Sequence, residues 1–175
     1  MALNFETEVK MKIAFIQTGG TIDKDYPHSI KGWAFEIGSP AFKSILDNAQ
    51  QRHEVSVYEV CRKDSLDINS EDRNQIRSLC QSLNEKAIII THGSDTLLKT
   101  AAALNYLQNK TIILTGSMLP EKFKDSDAPF NLGMAVAGVQ VLEPGIYIAI
   151  HGLLAPWNDF SRDMKTGKYH LKIKG

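Results

Sequence analysis

Apolar positions along the chain fall into two periods. Residues 12–18 (KIAFIQT) form a short, β-rich run that stops at Gly19-Gly20, a local breaker. Residues 87–91 (AIIIT) and 111–115 (TIILT) are continuous apolar runs, which predicts strands covered on both faces. Residues 54–60 (EVSVYEV) alternate polar with apolar, a strand pattern, and residues 145–151 (GIYIAIH) read as a last strand. Between these runs the period lengthens. Ser39-Pro40 reads as a helix start, a capping hydroxyl followed by proline at the first helical position, with Phe42, Ile45 and Leu46 at helical spacing. Asn69 or Ser70 caps a further helix, whose Ile76, Leu79, Cys80 and Leu83 line one face. Residues 97–107 read as an alanine- and leucine-rich helix, and Pro129 opens another with Met134, Val136 and Val139. Residues 23–33, with Pro27 and Gly32, are polar and turn-rich and read as a mobile loop or hairpin. Strands alternating with helices through short links predict an α/β fold, a three-layer domain with a mostly parallel sheet and helices on both faces. Neither a repeat nor a clear interior linker divides the chain. The expected organisation is a polar N-terminal tail over residues 1–10 and one domain over residues 11–175.

Composition narrows the function class. Of 175 residues, 20 are basic and 20 acidic, a formal net charge of zero, and 43% are hydrophobic, enough for a real core. Zero net charge argues against an obligate nucleic-acid binder, since phosphate contacts need a surplus of Lys and Arg. The uncharged run at Ile13 to Ile16 is far too short to span a membrane, and the first ten residues, with Glu6 and Glu8, do not read as a secretory signal. Cys61 and Cys80 are too few for a disulfide scaffold and read as two reduced core thiols of a cytoplasmic protein.

Candidate chemistry gathers where strands end. Ligands of open parallel sheets bind beyond the carboxyl ends of the strands. Here one strand runs into Thr18-Gly19-Gly20-Thr21, another into His92-Gly93-Ser94-Asp95-Thr96, and a third into Thr115-Gly116-Ser117-Met118. Each puts glycines and hydroxyls where backbone N–H groups can point at an anion or oxyanion. Gly19-Gly20 lacks the third glycine of a dinucleotide fingerprint and the Gly-Lys-Ser/Thr of a P-loop. The five histidines (His28, His53, His92, His151, His170) show no zinc spacing, so neither a metal nor a cofactor is expected. His92, alone before a glycine, reads as structural, and no Gly-x-Ser-x-Gly elbow supports a Ser-His-Asp triad.

The same loops carry a family resemblance. Thr18-Gly19-Gly20-Thr21-Ile22 resembles the first signature of bacterial-type L-asparaginases. His92-Gly93-Ser94-Asp95-Thr96 resembles the second, in which the family usually has Thr at the position of Ser94. Asp64-Ser65-Leu66-Asp67-Ile68 resembles the substrate loop between them. Gly116-Ser117-Met118-Leu119-Pro120 and Asp127-Ala128-Pro129-Phe130-Asn131-Leu132 resemble the segment that follows. Four motifs in order cover most of the chain from about Met11 to about Asp163. The resemblance implies a stand-alone N-terminal domain: family chains are roughly twice as long, and the smaller C-terminal domain they carry is expected to be absent here.

The resemblance implies hydrolysis of the side-chain amide of asparagine, or a related amide, to acid and ammonia. It makes Thr21 the nucleophile and Tyr26 the loop tyrosine that helps activate it. It makes Ser94, Asp95 and Lys110 a second catalytic set, with Lys110 before a buried strand, where burial could lower its pKa. Gly20, Ser65, Gly93, Ser94 and Asp95 would bind substrate, Asp95 at the α-ammonium and Ser65 at the α-carboxylate. Residue by residue, plainer readings stand beside these: a turn hydroxyl for Thr21, a lid anchor for Tyr26, a helix cap for Asp95, a turn residue for Ser65 and a solvated Lys110. Leu66 departs from the family, where a polar residue commonly follows the serine. In the family a neighbouring subunit's C-terminal domain completes the site. Two functions therefore stand: an amidohydrolase, or a non-catalytic module that binds an amino acid or dicarboxylate. A homodimer is expected in either case.

Overall fold

The described part of this computed structural model covers residues 10–26, 35–107 and 109–172. Residues 1–9 of the expected tail and residues 27–33 of the expected loop, His28 included, lie outside it. In chain order the elements are β1 (Lys12–Gly19), β2 (Lys24–Asp25), β3 (Glu36–Ile37), α1 (Ala41–Asn48), β4 (Glu54–Lys63), α2 (Ser70–Ser82) and β5 (Ala87–Thr91). Then follow α3 (Leu97–Ala103), β6 (Thr111–Thr115), α4 (Ala128–Val141), β7 (Gly145–Ile150), β8 (Leu153–Pro156), β9 (Phe160–Arg162) and β10 (Tyr169–Leu171).

Six strands make one sheet in the order β4-β1-β5-β6-β7-β8. The first five are mutually parallel and β8 runs antiparallel to β7. The residues of β5 and β6 are buried without exception, which is why those sequences are apolar on both sides of the pleat. One core packs Ile76 and Cys80 of α2 and Leu97 and Ala101 of α3 against Ile16, Ile88, Ile90, Ile112 and Leu114. The other packs Phe42 and Ile45 of α1 and Leu132 and Val139 of α4 against Ile13, Phe15, Ile89 and Ile113. The α/β fold is therefore three-layered, as the alternation of periods predicts.

Several local expectations change. Helix α1 begins at Ala41 with Pro40 in the capping position, and Ser39 does not cap it. The carboxylate of Asp23 does so from eighteen residues away, accepting the Ala41 N–H at 2.8 Å. Asn69, not Ser70, caps α2, in a reciprocal box with Asp72. The α3 helix ends at Ala103 and gives way to turns, short of the expected residue 107. The strand over 145–151 is not the last. His151 (φ 55°) and Gly152 (φ 77°) form a two-residue turn with both residues at positive φ, which folds β8 back along β7. Beyond it, β9 and β10 form a separate antiparallel ribbon that seats Phe160 and Tyr169 in the α2–α3 core. Strand β4 runs three residues past its expected end, and Cys61 within it is half-buried, with its thiol donating to the Thr18 carbonyl at 3.3 Å. Cys80 is fully buried.

Candidate active site

The strand order decides where a ligand can enter. The chain leaves β1 toward β4 on one side, then crosses back to β5 on the other. The carboxyl ends of β1 and β5 therefore flank the point where the sheet changes direction, which is where open α/β sheets form their ligand crevice. Parallel register pairs Gln17 with Thr91, the last residue of β5, and β1 runs on two residues further to Gly19. The loops that follow are those of Gly20-Thr21 and Gly93-Ser94-Asp95.

Glycine lets these loops touch. Gly20 sits at φ 89°, and a Cβ on it would stand 2.3 Å from the Gly93 nitrogen. A Cβ on Gly93 would in turn stand 2.7 Å from both Cβ and Oγ of Ser65. Residues far apart in sequence, Gly20, Ser65 and Gly93, are thus in direct contact. A register shift between β1 and β4 near Gly19, at φ 100°, turns the chain into the crevice, and the Gly20 N–H donates to Lys63 O at 3.0 Å. Thr21 follows at once and opens a short 3₁₀ turn, half-buried.

Hydrogen bonds hold the floor. Lys24 donates to Asp64 at 3.0 Å, tying the hairpin after Thr21 to the Ser65 loop. Burial pushes the Asp64 carboxyl up, but the Lys24 bond and the Leu66 N–H outweigh it and hold the group below its ordinary range. The Thr96 hydroxyl donates to Ser65 O at 2.6 Å, and Arg73 braces Thr96, Thr100 and Ile68 O. His92 is fully buried. One ring nitrogen meets Gly93 O and the other Thr100 Oγ1, each at 2.8 Å, and burial pushes its pKa down to about 4. A neutral imidazole with both nitrogens engaged braces the loop and has no free position for substrate. The Ser65 Oγ is different: its residue is 1% exposed and it finds no hydrogen-bond partner among the described residues. A buried hydroxyl in that state is a place for a ligand acceptor.

Ser94 is buried and Asp95 stands beside it, exposed. The Tyr169 hydroxyl donates to the Ser94 carbonyl, and the Arg162 guanidinium meets Asp95 Oδ1 at 2.6 Å. Neither partner belongs to a motif, so nothing in the sequence marks either as part of the site. Tyr26 is 64% exposed on the hairpin, its ring 5.3 Å from that of Phe35. Asp23, two residues past Thr21, is held by Gln17 and the Ala41 N–H, and burial pushes its pKa up to about 6. A cavity of about 480 Å³ lies on that side of the turn; its lining includes Asp23, Ser44 and Arg62 but none of Ser65, Gly93, Ser94 or Asp95.

Lys110 is not in this crevice. It precedes β6, so it lies at the amino end of the sheet, about 16 Å along the strands from the Ser94 loop at ~3.3 Å per residue. Its ammonium is buried and donates to the carbonyls of Leu83 and Glu85, at 3.0 Å to the latter. Burial does push its pKa down, but the cation is spent on satisfying the chain after α2. The expected grouping of Lys110 with Ser94 and Asp95 fails on that distance, and Arg162 is the cation that meets Asp95.

Among the described residues no group of His, Cys, Asp and Glu could hold a metal ion, and no helix is long and apolar enough to cross a membrane. Comparison with known proteins agrees with the motifs. Residues 12–167 match the family model for the asparaginase N-terminal domain. An L-asparaginase of Thermococcus kodakarensis is 37% identical over 151 residues, 79% of this chain and 44% of that protein. The solved thermostable L-asparaginase of that organism superposes with a TM-score of 0.74 at 28% identity, over 94% of this chain and 57% of the other. A glutaminase-asparaginase of Pseudomonas fluorescens biotype A is 33% identical over 144 residues, 75% of this chain and 40% of that protein. A probable cytoplasmic L-asparaginase of Campylobacter jejuni gives a TM-score of 0.71 at 26% identity, over 87% of this chain and 50% of the other. The chain spans about half the length of these relatives. It belongs to the asparaginase family, matching the N-terminal domain of that family.

Proposed function

We propose that this chain hydrolyses the side-chain amide of L-asparagine or a related amide, with Thr21 as nucleophile, in the crevice between β1 and β5. The observation that carries this reading is the contact of Gly20 with Gly93 and of Gly93 with Ser65, which puts three separated loops on one small space. The Thr21 hydroxyl attacks the amide carbon, and backbone N–H groups of the glycine loops are the donors for the oxyanion. The C–N bond breaks as ammonia leaves with the hydroxyl proton. Water then cleaves the Thr21 ester, releasing the acid and restoring the hydroxyl. Asp95 holds the substrate's α-ammonium, the unpartnered Ser65 hydroxyl its α-carboxylate, and Tyr26 assists Thr21 from the hairpin. Lys110 has no part in it. Names of relatives that include both glutaminase and asparaginase activity support an amide as substrate, and a cytoplasmic homodimer fits the same reading.

Thr21→Ala should abolish asparagine-dependent ammonia release, and unchanged turnover would overturn the assignment. A second reading, a binding module without turnover, is supported by Leu66, 72% exposed beside Ser65 where it offers ligand no side-chain hydrogen bond. Calorimetry with asparagine and aspartate separates the two: binding without ammonia favours the module.

A further inference from the structure

Arg162 ends β9, far in sequence from the motif loops. Its side chain is 12% exposed, its Nη2 lies 2.6 Å from Asp95 Oδ1, and its Nη1 reaches Met164 Sδ at 3.8 Å. Its Nε is buried and finds no partner among the described residues. Gly167, at φ 73°, closes over the guanidinium, and a Cβ there would stand 3.1 Å from Nη2. Across the ribbon, Tyr169 donates to the carbonyl of Ser94. The β9–β10 ribbon therefore grips the β5 loop at two adjacent residues. Burial pushes the Tyr169 phenol up, and the nearby guanidinium only partly offsets it.

A guanidinium keeps its proton in a folded protein, whereas a buried ammonium can give one up. A cation of the first kind can orient Asp95 but cannot accept a proton from Ser94 or from water. We propose that Arg162 is the positioning residue of the Asp95 side of this crevice: it aims the carboxylate at the ligand and bars that side from proton transfer, so that Thr21 alone attacks. The proposal rests on the hydrolase reading given above for its second half, and on geometry alone for its first.

The test compares the full chain with Arg162→Lys and Arg162→Met. Amide hydrogen exchange over residues 93–96 needs no ligand. Arg162→Met should speed it by about tenfold or more, and Arg162→Lys should restore slow exchange. Unchanged exchange in Arg162→Met overturns the positioning role, whether or not the chain turns over asparagine. Ammonia release from about pH 6 to 10 tests the proton-transfer half. Arg162→Lys should acquire an alkaline limb in kcat that the parent lacks, because a lysine there can deprotonate. A parent profile that already carries the same limb overturns that half. Absence of ammonia from all three proteins removes the hydrolase reading and this half with it, leaving the exchange result to decide the first.

Discussion

The two ends of the sheet both bury polar groups, and they treat them differently. At the amino end, Lys110 is buried and its ammonium is spent on two carbonyls, those of Leu83 and Glu85. Glu85 beside it meets Lys12 at 3.7 Å and the Tyr58 hydroxyl. At the carboxyl end, Ser65 is as deeply buried, yet its hydroxyl finds no partner among the described residues. There the backbone also adopts positive φ at Gly19 and Gly20, a conformation that only glycine takes without cost. A satisfied buried cation marks a structural staple. An unsatisfied hydroxyl walled by forced glycines marks a place kept for something else.

The contrast can be broken most severely at Gly20. Gly20→Ala needs a left-handed residue and drives a Cβ into the Gly93 backbone, so it should cost about 3 to 5 kcal/mol and abolish ligand binding. Chemical denaturation with calorimetry on whatever remains folded would check both, and a variant as stable as the parent would show that the loops do not need that contact. At the other end, Lys110→Met should lower stability by about 2 to 3 kcal/mol through the two carbonyls it leaves unpaired. Aspartate affinity should stay within error of the parent's, and a loss of affinity matched to the loss of stability would return Lys110 to the site. The smallest expected change in stability is at Ser65. Ser65→Ala removes a hydroxyl that pairs with no described protein group, so stability should move by less than about 0.5 kcal/mol. Its aspartate affinity should nevertheless fall by about tenfold. Opposite signatures from Lys110→Met and Ser65→Ala would place structure at one end of the sheet and ligand at the other.

Much of this was readable in the chain. Continuous apolar runs marked β5 and β6, and the spacing of Ile76, Leu79, Cys80 and Leu83 marked the buried side of α2, where Ile76 and Cys80 are fully buried. The position of Lys110 was readable too, by direction: a residue that precedes a parallel strand lies at the end opposite the loops that follow strands. The resemblance implies a lysine in the site, and residue type alone does not carry that direction. The Asp23 cap on Ala41 was not readable, because local spacing pointed to Ser39 and the carboxylate arrives from outside the segment. The His151-Gly152 turn carries only a faint signal, one glycine after an apolar run, and β8 depends on that turn.

Sequence by itself determined the period of each element and the residue types its loops carry, since burial on one or both faces and tolerance of positive φ act on residues one at a time. Tertiary structure alone decided which loops meet. Strand order brings Gly20 onto Gly93 and Ser65, and a ribbon some seventy residues away brings Arg162 onto Asp95. Those contacts depend on how the whole sheet is wound, and nothing local in either partner encodes them.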